Sequence, residues 1–574
     1  MDAFRRMLDD RIGMFVHYGI YSALAGKYKG EEIEGLGEWI QRRAEIPIAE
    51  YERIGKKRFL PKKDFAERLV KSAKAAGVRY IVLTSKHHDG FALFKTAVDG
   101  YNSYDYYGRD LCAELVSACN KEGLEVGFYY SHTLDWHEKN GAGNMSLCGA
   151  TASENRNFWD FPGEIDFAEY FENKCIPQVK ELLTGYGKLK LIWFDYPHDI
   201  TYEQSLRLKE LVKELQPDCL INSRIGHGLC DYYSLGDNSL PTQPNGVNNE
   251  CLITLNDTWG YKESDSHWKS SRDVIEILAR SITSDSTLLI NVGPYSSGYL
   301  PPQTEDILSG LSEWTSRNSD AIYGAVFGNP LSTVFDWGYI AVKENKLYLY
   351  VKDGSARSLK ISGIENALLS GARLLGSDAS VEAYMNGDEL TVSYEKTDVP
   401  FPVFEITFEK RPTYSKVIKQ NGDTLNLAIR NAGVSSCGNE AEPILFENDY
   451  FRLDYGKRGL SVNCETTLHA WEKASDEIVW DAFISKGGIY TAEIISAPCL
   501  TDRKFTLFVG DEAYPLSDGW DGEFRISLTG EQNKRFIKKV SGIKISSPGR
   551  YRIKISMDKD GVGLSLTEVR LKAE

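Results

Sequence analysis

Over roughly the first 320 residues, short apolar runs that read as strands alternate with longer stretches whose apolar residues recur at helical spacing. The strand candidates are Ile12–His17, Arg79–Ser85, Leu124–Ser131, Leu189–Asp195, Cys219–Ser223, Cys251–Leu255 and Thr287–Val292. Asp64 is placed to cap a helix with Phe65, Leu69, Ala73 and Ala76 on one face and Gly77 at its end. Asp110 opens another, with Leu111, Leu115 and Ala118 on one face and Gly123 closing it. Similar stretches run over 167–183, 204–215, 268–282 and 304–317. Strands separated by helices of this length predict βαβ units and a parallel sheet. Seven visible strands suit a (β/α)8-like barrel with one irregular strand.

The pattern changes after Pro330. Tyr339-Ile-Ala-Val, Lys346-Leu-Tyr-Leu-Tyr-Val, Leu390-Thr-Val-Ser-Tyr and Val403-Phe-Glu-Ile-Thr-Phe alternate with period two between Gly, Asn and Asp turns. A second β-rich stretch runs from about residue 425 to the end, with Arg411–Gly422 as the connector. The expected organisation is an α/β barrel over 1–325, a β-sandwich over 326–412 and a further β-rich sandwich over 423–574. In that last region Trp471, Trp480 and Trp520 are either sandwich core or a sugar-stacking surface of a carbohydrate-binding module.

A barrel builds its site at the C-terminal ends of its strands, and several strand candidates here end in polar groups. The first ends in His17, the second in His87-His88-Asp89, the third at Tyr130, the fourth at Asp195, and the fifth runs into Arg224. Glu250 sits just before the run 251–255. A lone strand-end carboxylate is as readily an ion-pair partner as a nucleophile. Five such ends together are harder to read as structural. Of 9 His, 8 precede residue 270, so titratable chemistry belongs to the first part of the chain.

The net charge of −15 argues against nucleic acid or an anionic membrane as partner, because phosphate binding is driven by clustered Lys and Arg. It suits a neutral substrate. No window is long and apolar enough to span a bilayer, and no apolar leader follows Met1. The expected location is cytoplasmic if Met1 is the native start, and periplasmic or secreted if a leader has been removed. The 10 Cys show no C-x-x-C pair or zinc-ligand spacing. His17, His87, His88 and Asp89 are metal-ligand types. Yet adjacent His residues on a strand point to opposite faces, which works against one ion held by both unless the strand end bends.

These ordered segments resemble the family-29 glycoside hydrolases, the retaining α-L-fucosidases, over roughly residues 8–410. The matching motifs are Gly13-Met-Phe-Val-His17-Tyr-Gly-Ile-Tyr-Ser, Gly37-Glu38-Trp39, Tyr80-Ile-Val-Leu-Thr-Ser-Lys-His87-His88-Asp-Gly-Phe, Gly127-Phe-Tyr-Tyr130-Ser and Trp193-Phe-Asp195. They continue with Glu250-Cys-Leu-Ile-Thr-Leu-Asn-Asp-Thr-Trp-Gly-Tyr and Leu288-Leu-Ile-Asn-Val-Gly-Pro. Tyr18 departs from the family, which usually has Trp there.

The resemblance implies an exo-acting enzyme that releases terminal L-fucose from fucosylated glycans through a covalent intermediate, without a cofactor or metal. It makes Asp195 the nucleophile. It places His17, Glu38, Trp39, His87, His88, Tyr130 and Arg224 around the sugar. It assigns the acid/base to Glu250, with Asp237 as the competitor. The alternatives are an inactive fucose-binding protein, a hydrolase of a related L-sugar such as an α-L-galactoside, and a metal-dependent hydrolase. Linkage specificity and oligomeric state are not fixed by these residues.

Overall fold

The computed structural model describes residues 3–574 apart from 144–154, 242–243, 245–247, 332, 334, 336, 356–357, 437–441, 444–449, 454–461, 465–470, 472, 497–503, 517–518, 526–533, 561–563 and 565. An eight-stranded parallel sheet forms the first part of the molecule. Its strands are β1 (Ile12–Val16), β2 (Tyr80–Lys86), β3 (Glu125–Ser131), β4 (Leu191–Asp195), β5 (Leu220–Ile221), β6 (Tyr233–Ser234), β7 (Asn249–Ile253) and β8 (Ser286–Val292). The spatial order is β5-β4-β3-β2-β1-β8-β7-β6. A parallel bridge between Asn222 and Tyr232 joins the ends of β5 and β6, so the sheet closes into a barrel. β6 is the strand missing from the sequence pattern. Its two residues, Tyr233 and Ser234, carry no apolar run.

Helices cover the outside. α1 (Phe65–Ala75), α2 (Leu111–Glu122), α3 (Ile176–Gly185), α4 (Tyr202–Leu215), α5 (Ser271–Thr283) and α6 (Pro302–Arg317) follow β1, β2, β3, β4, β7 and β8, and among the described residues no α-helix separates β5 from β6 or β6 from β7. Asp110 caps α2 as expected, accepting from the Ala113 N–H at 2.8 Å. Asp64 stands at the N-cap of α1, but its carboxylate accepts from the Tyr299 hydroxyl instead of a helix N–H. Thr201 and Ser270 make reciprocal capping boxes at α4 and α5. Before α3 the chain passes through a π-helical turn, Phe171–Cys175.

Two apolar layers follow from strand alternation. One side of each strand packs beneath the helices in the large core that includes Ile81, Phe128, Ile192 and Ile290. The other side fills the barrel with Phe15, Tyr80, Val82, Tyr129, Leu191, Trp193, Leu252 and Leu289. This inward side carries the chemistry at its upper end.

Beyond the barrel the chain is antiparallel β. A four-stranded sheet (Gly338–Lys343, Lys346–Val351, Val403–Phe408, Leu369–Leu374) faces a three-stranded one (Ser358–Ser362, Glu389–Tyr394, Val381–Asn386) across a core that includes Leu349, Ile361 and Phe404. It packs on the barrel helices, where Trp314 donates to Phe401 O at 2.9 Å and Arg280 Nε donates to the Tyr339 hydroxyl at 2.7 Å. A second pair of sheets, built from residues 418–573, encloses its own core. Trp471 and Trp480 are buried in that core, and their indole N–H groups donate to Asp476 O and Ala428 O, both at 2.9 Å. Trp520 packs against its edge. The Trp471 and Trp480 rings therefore serve packing. Among the described residues no helix is long and apolar enough to cross a membrane.

Candidate active site

Asp195 is the last residue of β4 and shares the inward side with Leu191 and Trp193. Its Oδ1 accepts from Arg224 Nη1 at 2.9 Å and its Oδ2 from the Tyr129 hydroxyl at 2.9 Å. Arg224 lies on the short turn Ser223–Ile225 after β5, with its guanidinium 4.8 Å from the centre of the Trp193 ring. The other end of the same guanidinium donates to Asp237 Oδ1 at 2.6 Å. One cation thus holds two carboxylates side by side. Burial alone would raise the Asp195 carboxyl, but the Arg224 charge, His88 and the two donated hydrogen bonds hold it below the usual carboxylate value. Asp195 is therefore ionised at neutral pH.

Both carboxylates precede a residue in the left-handed region, Tyr196 (φ 58°) after Asp195 and Asn238 (φ 53°) after Asp237. Side chains other than Gly rarely adopt it, at a cost of order 1–3 kcal/mol each. The surroundings hold them there. The Tyr196 carbonyl accepts from Thr133 and its hydroxyl from Asn155. Asn238 N–H donates to Leu252 O at 3.0 Å, and its Oδ1 accepts from the Thr254 N–H at 3.0 Å.

β2 ends at Lys86, and the turn closed by Gly90 N–H to His87 O follows at once. This bend lets His87 and His88 both line the cavity, with ring centres 4.2 Å apart, although adjacent residues of a continuing strand would point to opposite sides. The hydrogen bonds assign the tautomers. Ser131 Oγ gives its proton to Leu134 O, so at 2.7 Å it must accept from His88 Nδ1, leaving His88 Nε2 as a bare acceptor 3.8 Å from Asp195 Oδ2. Asn291 is oriented by its amide donation to Trp259 O, so its Oδ1 accepts from His17 Nδ1 at 2.6 Å. Burial pushes His17 and His88 down to about 4, against the pull of Asn291 and Asp195 respectively, and pushes His87 well below its usual value. All three rings are neutral at neutral pH, which suits neutral hydroxyl partners.

Glu38 and Trp39 lie on a single turn, Gly37–Trp39. Glu38 is buried, and its Oε2 accepts from Gly260 N–H at 2.8 Å and Thr258 Oγ1 at 3.1 Å. Burial raises its carboxyl to about 7 despite these donors. The Trp39 ring meets His88 and Trp136 edge-on at 5.2 and 5.3 Å.

These groups surround a cavity of about 360 Å³. Its floor is Phe15, Trp193, Leu252 and Trp259. Its polar wall is His17, Glu38, His87, His88, Asp195, Arg224 and Asp237. Leu36, Trp39, Arg43, Tyr129, Asn155 and Tyr196 complete the lining. That volume is at the small end of ligand sites, which run about 300–1,000 Å³, and it suits one sugar ring.

Two sequence expectations do not reach this cavity. Tyr130 points outward, fully buried in the helix-facing core, with its hydroxyl donating to Gln178 Oε1 at 2.9 Å. Its neighbour Tyr129 is the inward residue. Glu250 is the second residue of β7 and points into the barrel at the N-terminal end of the strand, paired in register with Thr287 near the start of β8. It is fully buried beneath Trp193, whose Nε1 donates to it at 2.8 Å, and Tyr80 donates at 3.1 Å. The strand begins at Asn249, two residues earlier than the run 251–255, and at either position Glu250 belongs to the N-terminal end of its strand, away from the mouth at the C-terminal ends. Alternation along β3 carried a signal that separates Tyr129 from Tyr130. Asn155 and Tyr196 come from loops, and Arg43 from the end of the short helix Ile40–Arg43, with no such signal. Among the described residues no group of three or more His, Cys, Asp or Glu side chains is arranged to hold a metal ion.

Residues 3–320 match the family model described as Alpha-L-fucosidase. A putative α-L-fucosidase of Caenorhabditis elegans is 24% identical over 441 residues, covering 68% of this chain and 86% of that one. The crystal structure of an α-L-fucosidase from Vibrio sp. strain EJY3 shares the fold over 100% of this chain and 98% of its own, with TM-score 0.79 at 24% identity. The AlfC α-L-fucosidase of Lactobacillus casei, solved with α-L-fucose product, is 40% identical with TM-score 0.52, covering 56% of this chain and 100% of its own. One variant of AlfC has been solved both with 4-nitrophenyl α-L-fucopyranoside and with Fucα(1,6)GlcNAc. The family model spans more than half of the chain, and the chain belongs to the α-L-fucosidase family of glycoside hydrolases.

Proposed function

We propose that the protein is an exo-acting, retaining α-L-fucosidase that releases terminal L-fucose from glycans. The observation that carries this reading is the single guanidinium of Arg224 donating to both Asp195 and Asp237 at the wall of a one-sugar cavity. Retention needs two carboxyl groups about 5–5.5 Å apart, closer than an inverting pair that must leave room for water. Two carboxylates on adjacent nitrogens of one Arg favour the closer spacing.

In this reading Asp195 attacks the anomeric carbon as the bond to the leaving oxygen breaks, and Asp237 in its acid form gives that oxygen its proton. The product is a fucosyl ester on Asp195. Asp237, now ionised, takes a proton from a water that attacks the same carbon, and the ester bond breaks to return the Asp195 carboxylate. Glu250 has no part in either step. His17 and His88 offer bare Nε2 acceptors to sugar hydroxyls. His87 lines the same wall, with its Nδ1 buried and without a hydrogen-bond partner among the described residues. Tyr129 takes the place expected of Tyr130, steadying Asp195. Trp39 packs against the C5 methyl group.

The test is release of L-fucose from 4-nitrophenyl α-L-fucoside by wild type, Asp195→Ala and Asp237→Ala, each with and without azide. Loss in both variants, with azide giving the β-fucosyl azide from Asp195→Ala and the α-azide from Asp237→Ala, supports the assignment. Near-normal turnover in a folded Asp195→Ala protein would sink it.

A further inference from the structure

The C-terminal β region reaches back to the candidate proton donor. Asp237 and Asn238 form a turn closed by Ser239 N–H to Gly236 O at 3.1 Å, and the chain then enters a three-residue strand, Ser239–Pro241. This strand lies outside the barrel sheet. Its hydrogen-bonding partner is Tyr450–Leu453, antiparallel, with Arg452 opposite Ser239, Phe451 opposite Leu240 and Tyr450 opposite Pro241. The far edge of Tyr450–Leu453 pairs in turn with Val462–Cys464. A hairpin more than 200 residues away in sequence therefore supplies the backbone partner for the segment that begins two residues after Asp237.

We propose that this hairpin is a positioning element for the Asp237 carboxyl, so that the C-terminal β region takes part in proton transfer to the leaving group. The proposal rests on Asp237 as the acid/base. Ser239–Pro241 is buried, and its N–H and C=O groups need partners once water is removed. On one side the turn is tied to β7, through Asn238 N–H to Leu252 O and Thr254 to Asn238 Oδ1. On the other side it is tied to the hairpin. Removing the second tie leaves the turn held from the barrel side only, by β7 and by Arg224. Proton transfer requires heavy atoms about 2.6–3.2 Å apart, and a misplacement of about 1 Å costs about 100-fold in rate. The rest of the sugar cavity is built from barrel strands and loops that the hairpin does not pair with, so sugar binding and nucleophilic attack are expected to survive.

The experiment uses the full chain. Successive N–H groups of a strand point to opposite sides, so of Phe451→Pro and Arg452→Pro, one removes a hydrogen bond to Ser239–Pro241 and the other one to Val462–Cys464. Phe451→Ala keeps the backbone and is the control. kcat/KM is measured on 2-chloro-4-nitrophenyl α-L-fucoside, whose leaving group needs no proton, and on phenyl α-L-fucoside, whose leaving group does, with Asp237→Ala alongside. The expected result is a loss of about 100-fold on the phenyl substrate, little change on the activated one and an unchanged inhibition constant for L-fucose in a proline variant, with Phe451→Ala like wild type. Equal loss on both substrates, or no loss on either, overturns the proposal. If Asp237→Ala shows leaving-group dependence and the proline variants do not, the hairpin role alone fails. If Asp237→Ala shows none, the acid/base reading fails and takes the hairpin role with it. Should the proline variants not fold, hydrogen exchange of the wild type reads the same contact. Amides of 239–240 and 451–453 are expected to open as one unit, and free exchange of 451–453 beside a protected 239–240 overturns the proposal.

Discussion

Arg224 Nη1 lies 2.9 Å from Asp195 Oδ1, and this bond decides the charge of the carboxylate that ends β4. Burial is the largest influence and favours the neutral acid, and Arg224, His88 and the Tyr129 hydroxyl together outweigh it. In Arg224→Met only His88 and Tyr129 still oppose burial, so the Asp195 pKa rises. Because the ionised form is the reactive one, the acid limb of the kcat/KM–pH profile moves to higher pH. Charge-assisted hydrogen bonds are worth about 1.5–3 kcal/mol each, so kcat/KM at neutral pH is expected to fall by at least about 10-fold. A pH profile measured on 4-nitrophenyl α-L-fucoside checks both effects. An acid limb that stays in place would show that Asp195 is not the group it reports.

Tyr129 and Tyr130 are adjacent on β3 and face opposite ways, so the same substitution should have opposite consequences. Tyr129→Phe removes the hydroxyl at 2.9 Å from Asp195 Oδ2 and should lower kcat/KM by about 10- to 100-fold, the worth of one bond to a charged group, with little effect on Tm. Tyr130→Phe removes the bond to Gln178 in the helix-facing core. It should cost about 0.5–1.5 kcal/mol of stability and leave kcat/KM unchanged. Thermal melts and steady-state kinetics on the pair separate the two. A loss of turnover in Tyr130→Phe alone would reverse the orientation of β3.

That pair also marks how far the sequence could be read. The barrel was legible because its strands are apolar runs and its helices carry spaced apolar faces. Asp195, His17 and the His87-His88 pair stood out as polar residues ending such runs. Which of two adjacent tyrosines faces inward follows from alternation along β3, where Val126, Phe128 and Tyr130 share the helix-facing side and Tyr129 the other. With apolar residues on both sides of a buried strand, that alternation does not say which side is the inner one. β6 is two residues long and closes the barrel through one bridge, Asn222 to Tyr232, so it left no pattern. The pairing of Ser239–Pro241 with Tyr450–Leu453 uses backbone groups that every residue carries, and nothing in either segment names the other. Asp237 was a competitor on sequence because loops have no periodicity to aim a side chain.

Glu250 separates burial from catalysis. Burial raises its carboxyl from 4.5 to about 7, against the Trp193 and Tyr80 donors. The unfolded chain ionises near 4.5, so between about pH 4.5 and 7 the folded state holds the extra proton. Stability contributed by that protonated form is therefore lost as pH rises through the window, on the order of 3 kcal/mol at 1.36 kcal/mol per unit. Glu250→Gln has no proton to lose. The wild type is expected to lose more stability than the variant between pH 5 and pH 8, measured by denaturant unfolding. At neutral pH the variant should keep kcat/KM within about threefold, a difference under 1 kcal/mol. A collapse of turnover on phenyl α-L-fucoside that is absent on the activated substrate would return the proton-donor role to Glu250.

Lys86, the residue before His87, is fully buried and donates to Asp135 Oδ2 at 2.9 Å and to the Tyr170 hydroxyl at 2.8 Å. The π-helical turn brings in a second cation, Lys174, at 3.2 Å from the same Asp135 oxygen and 2.8 Å from Asp99. Burial would raise the Asp135 carboxyl, and the two lysines pull it down to about 2. A depressed carboxylate contributes stability above its unfolded pKa, near 3.8, and that contribution is lost as pH falls toward 2. Lys86→Met removes one of the two cations and leaves Asp135 paired with Lys174 only. Breaking a buried pair from one side costs about 3–5 kcal/mol, and the remaining Lys174 should hold the cost near the lower figure. The variant is therefore expected to unfold at lower denaturant at pH 7 and to lose less stability than wild type on acidification from pH 4 to pH 2. Lys174→Met should behave alike. The double variant should lose more than the sum of the two, because Asp135 is then buried without either cation. Simple additivity in that cycle would mean that the two lysines stabilise the strand end independently, without acting through Asp135.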